Sequence, residues 1–391
     1  MQEATAGAIQ SRTHVAHWRR PTRDFKLPIV PLTRDLATPP GGSMISTGAP
    51  FGWDVLFPHD RRVVALPNWT QPRLLIPVNA PRDAWAASAF YPAYRWTGRL
   101  RRAALRVRAL SSMGAVVVTH DHEELLRAYL RDVLPEAQVR AVQVGMPGGA
   151  QKLTAQLVDA SGRVVGFLKC GARPLSRQRL RIEHDILARL PAGAGPRALK
   201  FGAIGSFDAL LLAPVEGRHL RSTLPPPPAL TPFLAALQST RVLALDDHPW
   251  FVRLGSDREE VAMHLDVLSK RSWPLVVQHG DLAPWNMLRL DDGRLVAIDW
   301  EYGRVDGLPG LDLAQFVLQV AMLIERSAPA SGLLRAAALL ERDRSLELTR
   351  EQSLALVALA AFEAHKNAAE EGLPVDDARQ RWRRTVWQQR S

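Results

Sequence analysis

Two kinds of apolar spacing divide the chain. Between residues 136 and 215 the apolar positions form short alternating runs near 139–145, 151–158 and 163–169, joined by GMPGG and DASGR, then again in ALKFGAI and DALLLAP. Short alternating runs broken by glycine predict half-buried strands joined by turns. One helical stretch interrupts them, SRQRLRIEHDILARL at 176–190. Beyond residue 230 the apolar residues recur every third and fourth position, which predicts helices over 231–245, 256–271, 311–327, 331–343, 349–371 and 375–389. The only clear strand signal in that half is the stretch VVQHGDLAPWNMLRLDDGRLVAIDW at 276–300, whose MLRL-DDG-RLVAI reads as a hairpin. VEGRHL (215–220) is a linker, and PPPP (225–228) is a rigid extended spacer; a ligand for a proline-reading domain is the weaker alternative.

The leading third is less regular. Residues 1–50 are rich in Pro, Thr, Gly and Arg and show little periodicity, so part of that stretch is expected to be loose. RRVVALPN (61–68) and PRLLIPV (72–78) read as strands, with helices over 81–89 and 97–110. DHEELLRAYLRDVL (121–134) reads as an amphipathic helix, with Asp121 and Glu124 at the spacing of a capping box. The expected fold class is α+β: a small mixed-sheet lobe over 136–215 and a mainly helical lobe over 216–391, preceded by an unassigned extension, 1–135.

Composition narrows the class. A single Cys in 391 residues excludes a disulfide framework and any cysteine-based zinc site. The start MQEATAGAIQ lacks the basic and apolar regions of a secretory signal, and the longest apolar runs, such as LALVALAAF (354–362), are too short to span a membrane. A cytoplasmic protein with no membrane span is expected. The net charge of +11 is concentrated at the front, where residues 1–134 hold 18 Lys/Arg against 10 Asp/Glu. That basic segment is open to an acidic protein partner, although a solvated basic face explains it as well. Without a zinc-finger spacing or an aromatic RNA-binding motif, a nucleic-acid partner is not expected. Trp18, Trp53, Trp69, Trp85 and Trp96 fall in the same segment. Core packing explains them better than a sugar-binding surface. His120 and His122 could pair on a metal, but polar residues at a helix start account for them.

The chemistry sits in the 276–300 stretch. HGDLAPWN has the His-x-Asp-Leu-x-x-x-Asn spacing of a kinase catalytic loop. Asp281 could orient an acceptor hydroxyl and take its proton, while Asn286 and Asp299 are hard oxygen ligands suited to Mg2+. A chain reversal through DDG would return Asp299 to Asn286. Taken singly these are common turn residues; their joint spacing is the signal. Phosphates also need a cation. Lys169 ends the strand VVGFLK, and Glu183 lies in the next helix, placed to hold its ammonium; Asp185, two residues on, points elsewhere. Gly145, Gly148 and Gly149 in VGMPGGAQKLTAQLV could let a hairpin tip approach phosphates, as an ordinary turn would also look. No GxxxxGK[ST] is present, which disfavours a P-loop ATPase.

With these motifs in view, residues 136–390 resemble the aminoglycoside phosphotransferase and choline kinase-like family, whose fold is that of the protein kinases. HGDLAPWNML resembles its catalytic loop, IDWE its metal-binding segment, FLK and RIEHDIL its lysine strand and glutamate helix, and LLLAPVEGRHL its inter-lobe hinge. The resemblance implies a bilobal protein-kinase-like fold that uses ATP and Mg2+. It makes Asp281 the catalytic carboxylate and Asn286 and Asp299 the magnesium ligands. Lys169 and Glu183 would orient ATP, the loop with Gly148 and Gly149 would cover its phosphates, and the backbone near Ala213 and Val215 would meet the adenine. Asp312 would brace the catalytic loop. Met146-Pro147 makes the glycine loop stiffer than the family's pattern, and the first 135 residues exceed it.

Asp299 and Asp312 are thirteen residues apart with no Ala-Pro-Glu following, so little chain is left to dock a peptide. A small-molecule hydroxyl acceptor is expected. Residues 300–391 hold 13 Asp/Glu against 12 Lys/Arg, no acidic excess for a polycation, so a sugar, amino alcohol or related metabolite is expected over an aminoglycoside. The competing reading is a non-catalytic kinase-like module that binds nucleotide or a partner.

Overall fold

The computed structural model describes residues 52–389 except 79–80, 91–95, 112–113 and 120–121. Trp18, His120 and the Asp121 half of the expected capping box lie outside the described residues. The first lobe holds β1 (Arg62–Leu66), β2 (Leu74–Pro77), α1 (Pro81–Ser88), α2 (Trp96–Ser111), β3 (Val116–Val117), α3 (Glu123–Leu130), β4 (Gln138–Val144), β5 (Leu153–Val158), β6 (Val164–Gly171), α4 (Pro174–Leu187), β7 (Ala198–Ile204) and β8 (Phe207–Leu212). Its eight strands form one antiparallel sheet in the order β3-β1-β2-β4-β5-β6-β8-β7.

Period-two alternation sorts the sheet's side chains between two cores. On one face Val142, Ala155, Leu168, Ala209 and Leu211 pack with Tyr129 and Leu130 of α3 and with residues 53–57. On the other, Leu210 and Leu212 pack with Leu180 of α4, and Val64, Leu66, Leu74 and Ile76 pack with Ala87 of α1 and Leu105 of α2. Trp53 belongs to the first core and Trp69 packs against it, whereas Trp85 stands half-exposed.

The sheet runs through the boundary expected at residue 135. Leu74 and Leu75 of β2 pair with Gln143 and Val142 of β4, so the leading segment's strands continue the lobe instead of standing apart from it. The physical reason is the edge of β4. Without β2 it would present unpaired amides and carbonyls beside buried Val142 and Val144. A chain starting at residue 136 is therefore expected to aggregate or fail to fold. One starting at 49 should elute as a folded species in size-exclusion chromatography; equal behaviour of the two would contradict the pairing.

The second lobe comprises β9 (Arg218–His219), α5 (Leu230–Ala235), β10 (Gln238–Ala244), α6 (Pro249–Leu254), α7 (Ala262–Leu268), β11 (Ser272–Gln278), β12 (Met287–Arg289), β13 (Leu295–Ala297), β14 (Arg304–Gly307), α8 (Leu311–Gln319), α9 (Pro329–Arg342), α10 (Arg350–Glu370) and α11 (Ala378–Trp387). Two small sheets, β10-β11-β14 and β13-β12-β9, sit among the helices. The helix expected over 231–245 thus stops at Ala235, and its second half is β10. Leu243 and Val242 there pair with Trp273 and Pro274 of β11, a distant partner that outweighs local helix periodicity. The helix expected over 256–271 is likewise a tight turn, 255–261, followed by the shorter α7. The linker holds β9, which pairs with β12.

The lobe is built around α10. Thr349 Oγ1 accepts the Gln352 N–H (3.2 Å) while Gln352 Oε1 accepts the Thr349 N–H (3.1 Å), a capping box that fixes where this helix starts. Leu356, Leu359 and Phe362 are wholly buried against α8, α9 and α11. Among the described residues no helix is long and apolar enough to cross a membrane.

Candidate active site

The hairpin does what its sequence predicts. Met287 pairs with Ala297 and Leu288 with Val296, so Asn286 and Ile298 fall opposite each other, joined by an Ile298 N–H to Asn286 carbonyl bond of 2.9 Å. Asp299 follows at once, in the left-handed region at φ 68°. A non-glycine residue there costs about 1–3 kcal/mol and persists only where its surroundings over-determine it.

Asp299 is over-determined by two ammonium groups. Its Oδ1 lies 2.7 Å from Lys169 Nζ and 2.8 Å from Lys152 Nζ. Lys169 also meets both oxygens of the fully buried Glu183, at 2.6 and 2.7 Å. Thus a strand of the first lobe, a helix of the first lobe and a loop of the second converge on one ion cluster. Lys169 and Leu210 are cross-strand partners, so both face α4, which carries Glu183. Burial alone would raise the Asp299 pKa, but Lys152 and Lys169 outweigh it and hold the carboxyl far below its ordinary range.

No sequence motif points to Lys152, while Glu301 is the last residue of IDWE. Lys152 Nζ also contacts Glu301 Oε2 at 2.7 Å. Burial would depress this ammonium, yet the carboxylates of Asp299, Glu301 and Glu183 push its pKa up. The signal that could have found it is parity. Thr154 pairs with Lys169 across β5 and β6, and Lys152 lies two residues before Thr154, hence on the same face.

The loop before the hairpin is fixed from beneath. Asp312, in the first turn of α8, accepts the His279 N–H through Oδ2 (2.7 Å) and the Gly280 N–H through Oδ1 (3.0 Å). His279 Nε2 lies 2.9 Å from the Ile298 carbonyl, and the Asp281 N–H donates to His279 Nδ1 at 3.3 Å. Nδ1 must then be the acceptor and Nε2 carries the proton. Burial agrees, since it presses the imidazole down to about 4 and keeps it neutral. Gly280 sits at φ 77°, and a Cβ there would stand 2.5 Å from the Tyr302 carbonyl oxygen, so the loop admits only glycine at this point.

Asp281 lines a cavity of about 240 Å³ between this loop and helices α8, α10 and α11. Gln319 Nε2 donates to its Oδ1 (2.9 Å), and Asn286 Nδ2 donates to its carbonyl (2.9 Å). That bond spends the nitrogen of Asn286 and leaves its Oδ1 as the pole open to a cation. The described residues contain no group of three His, Cys, Asp or Glu able to hold a metal. The oxygens of Asn286 and Asp299 nonetheless suit magnesium, which often takes one or two protein ligands and completes its shell with phosphate and water. Three carboxylates, Glu183, Asp299 and Glu301, face two ammonium groups here, and burial pushes the Glu301 carboxyl up to about 7.

The remaining sequence candidates lie around this centre. Gly148 and Gly149 form the tip of the hairpin between β4 and β5. A Cβ on Gly148 would lie 2.8 Å from the Glu371 carbonyl oxygen, so the tip rests against the end of α10. Its carbonyl accepts Arg173 Nη1 at 2.6 Å. Ala213 and Val215 follow β8, half-buried, and the Ala213 N–H is taken by the Arg197 carbonyl (2.9 Å).

Neither a known family profile nor a curated protein matches the chain by sequence. Solved structures similar to it include a choline kinase from Streptococcus pneumoniae, 17% identical, covering 68% of this chain and 98% of that one at a TM-score of 0.45. A thermostable mutant of the aminoglycoside phosphotransferase APH(4)-Ia is 14% identical and covers 67% and 96%, at 0.42. An aminoglycoside phosphotransferase from Streptomyces rimosus, in complex with ADP and streptomycin, is 18% identical and covers 67% and 95%, at 0.33. At these identities and TM-scores the chemistry must be read from this chain's own residues.

Proposed function

We propose that the chain is an ATP- and magnesium-dependent phosphotransferase that moves the γ-phosphoryl group to a hydroxyl of a small-molecule acceptor. The observation that carries this reading is the convergence of Lys169, Glu183 and Asp299 within 2.7 Å contacts, beside a loop whose Asp281 opens on a cavity. A cavity of about 240 Å³ suits a small molecule and is too small for a folded segment.

Glu183 holds the Lys169 ammonium where it can neutralise α- and β-phosphate oxygens. Asn286 and Asp299 would hold magnesium, which when bound supplies positive charge between the phosphates. The glycine tip, lacking Cβ atoms, can lie close over phosphate oxygens. Since the Ala213 amide is taken, the Val215 amide is the hinge donor left for an adenine edge. Asp281 orients the acceptor hydroxyl. The hydroxyl oxygen forms the new bond to γ-phosphorus, the bond to the β,γ-bridging oxygen breaks, and the hydroxyl proton passes to Asp281.

The test is ATP consumption by the purified full chain across a panel of hydroxylated acceptors, with and without EDTA. Acceptor-stimulated, EDTA-sensitive turnover is expected. ATP binding by calorimetry with no turnover on any acceptor would favour a non-catalytic nucleotide-binding module instead.

A further inference from the structure

The charges around the acceptor cavity are matched unequally. Helix α11 places Arg379 and Arg383 four residues apart, on one face, and both line the cavity. Arg379 is neutralised locally: its Nε and Nη2 donate to the Asp377 carboxylate at 2.9 and 3.1 Å. The cavity carboxylate of Glu371 receives the Tyr302 hydroxyl, and neighbouring Glu370 is paired with Arg179. Arg383 has no such counter-ion. Its Nη1 donates to the neutral Gln380 Oε1 at 3.0 Å, and no carboxylate of the described residues lies within 4.0 Å of it. Nearby, Gln319 is 6% exposed, and its Oε1 has no hydrogen-bond partner among the described residues although its Nε2 holds Asp281.

Resting on the phosphotransferase reading, we propose that the acceptor is an anionic hydroxyl compound, a carboxylate- or phosphate-bearing polyol, whose charged group Arg383 binds while its hydroxyls meet Asp281 and Gln319. Arg383 is half-buried, and a partly desolvated guanidinium without a contacting carboxylate gains from a bound anion through forked, charge-assisted hydrogen bonds. A hydroxyl donor likewise satisfies Gln319 Oε1. A cationic acceptor would instead bring its ammonium against Arg383. The competing role for Arg383 is to act only as a distant counter-charge to Asp281, whose field it shares. In that case its loss would affect charged and neutral acceptors alike.

Matched probes decide between these roles. Binding to the full chain is measured by calorimetry for D-gluconate against D-glucose, and for glycerol 3-phosphate against glycerol, with choline and streptomycin as cationic probes. At least one anionic probe is expected to bind about tenfold or more tightly than its neutral partner. Arg383→Gln should abolish that preference, and Arg383→Lys should retain part of it, with circular dichroism confirming the fold of both variants. The gluconate and phosphate arms separate the two sources of negative charge. The inference is overturned if no anionic probe outbinds its neutral partner, if a cationic probe binds best, or if Arg383→Gln weakens neutral and anionic probes equally. EDTA-sensitive ATP turnover across the acceptor panel, measured separately, is lost when the phosphotransferase reading fails, whereas a failed anion preference leaves that turnover in place, so the two are distinguishable.

Discussion

Asp281→Asn is expected to lower kcat by about 10²–10⁴-fold, the usual contribution of a positioned general base, while leaving ATP affinity and fold intact. An amide preserves the shape and can still meet Gln319, but it cannot take the acceptor's proton. The same carboxyl sets the pH profile. Burial, followed by the charges of Asp299 and Glu301, pushes Asp281 up to about 7, and Arg383 and the Gln319 hydrogen bond pull the other way. The protonated acid cannot serve as a base, so activity is present above pH 7 and lost as the pH falls through it. The form lacking nucleotide is reported by kcat/KM for MgATP, whose acidic limb should lie near pH 7. An Asn variant retaining more than about a tenth of the parental kcat would remove Asp281 from the role of base, whereas a limb near pH 4 would mean that its carboxyl keeps the ordinary aspartate range.

Local features of this site were legible and long-range ones were not. HGDLAPWN, the DDG hairpin and the Lys169–Glu183 spacing each encode geometry within about one supersecondary unit, and the structure brings those residues together. Lys152 was hidden because its place depends on the register between β5 and β6, which neither strand's own pattern fixes. Arg383 was hidden because an amphipathic pattern fixes which face of α11 is apolar but not what the polar face meets. The leading strands were read correctly as strands. Their pairing with β4 was missed, because a sheet edge leaves no mark in the sequence of its partner. For β10, local periodicity favoured a helix and a distant strand prevailed.

The second large effect concerns stability. Asp312 is 6% exposed and accepts two main-chain N–H groups, those of His279 and Gly280, in the segment that carries Asp281. Asp312→Ala leaves the buried His279 N–H and the half-buried Gly280 N–H without this acceptor, at about 1–3 kcal/mol for the first and less for the second, so a loss of about 2–4 kcal/mol is expected. The loop has little room to recover by rotating, since Gly280 at φ 77° lies against the Tyr302 carbonyl. Burial pushes the Asp312 carboxyl up to about 7 and the two amides hold it down, so the side chain is kept acceptor-rich at some cost to itself. Asp312→Asn should be intermediate, because its Oδ1 can still take one amide while its NH2 opposes the other. Urea denaturation gives the order parent, Asn, Ala by falling midpoint with unchanged slope. Activity should drop further than the unfolded fraction explains, because the surviving folded molecules hold Asp281 less firmly. An Ala variant within about 0.5 kcal/mol of the parent would mean that water, not this carboxylate, satisfies the loop.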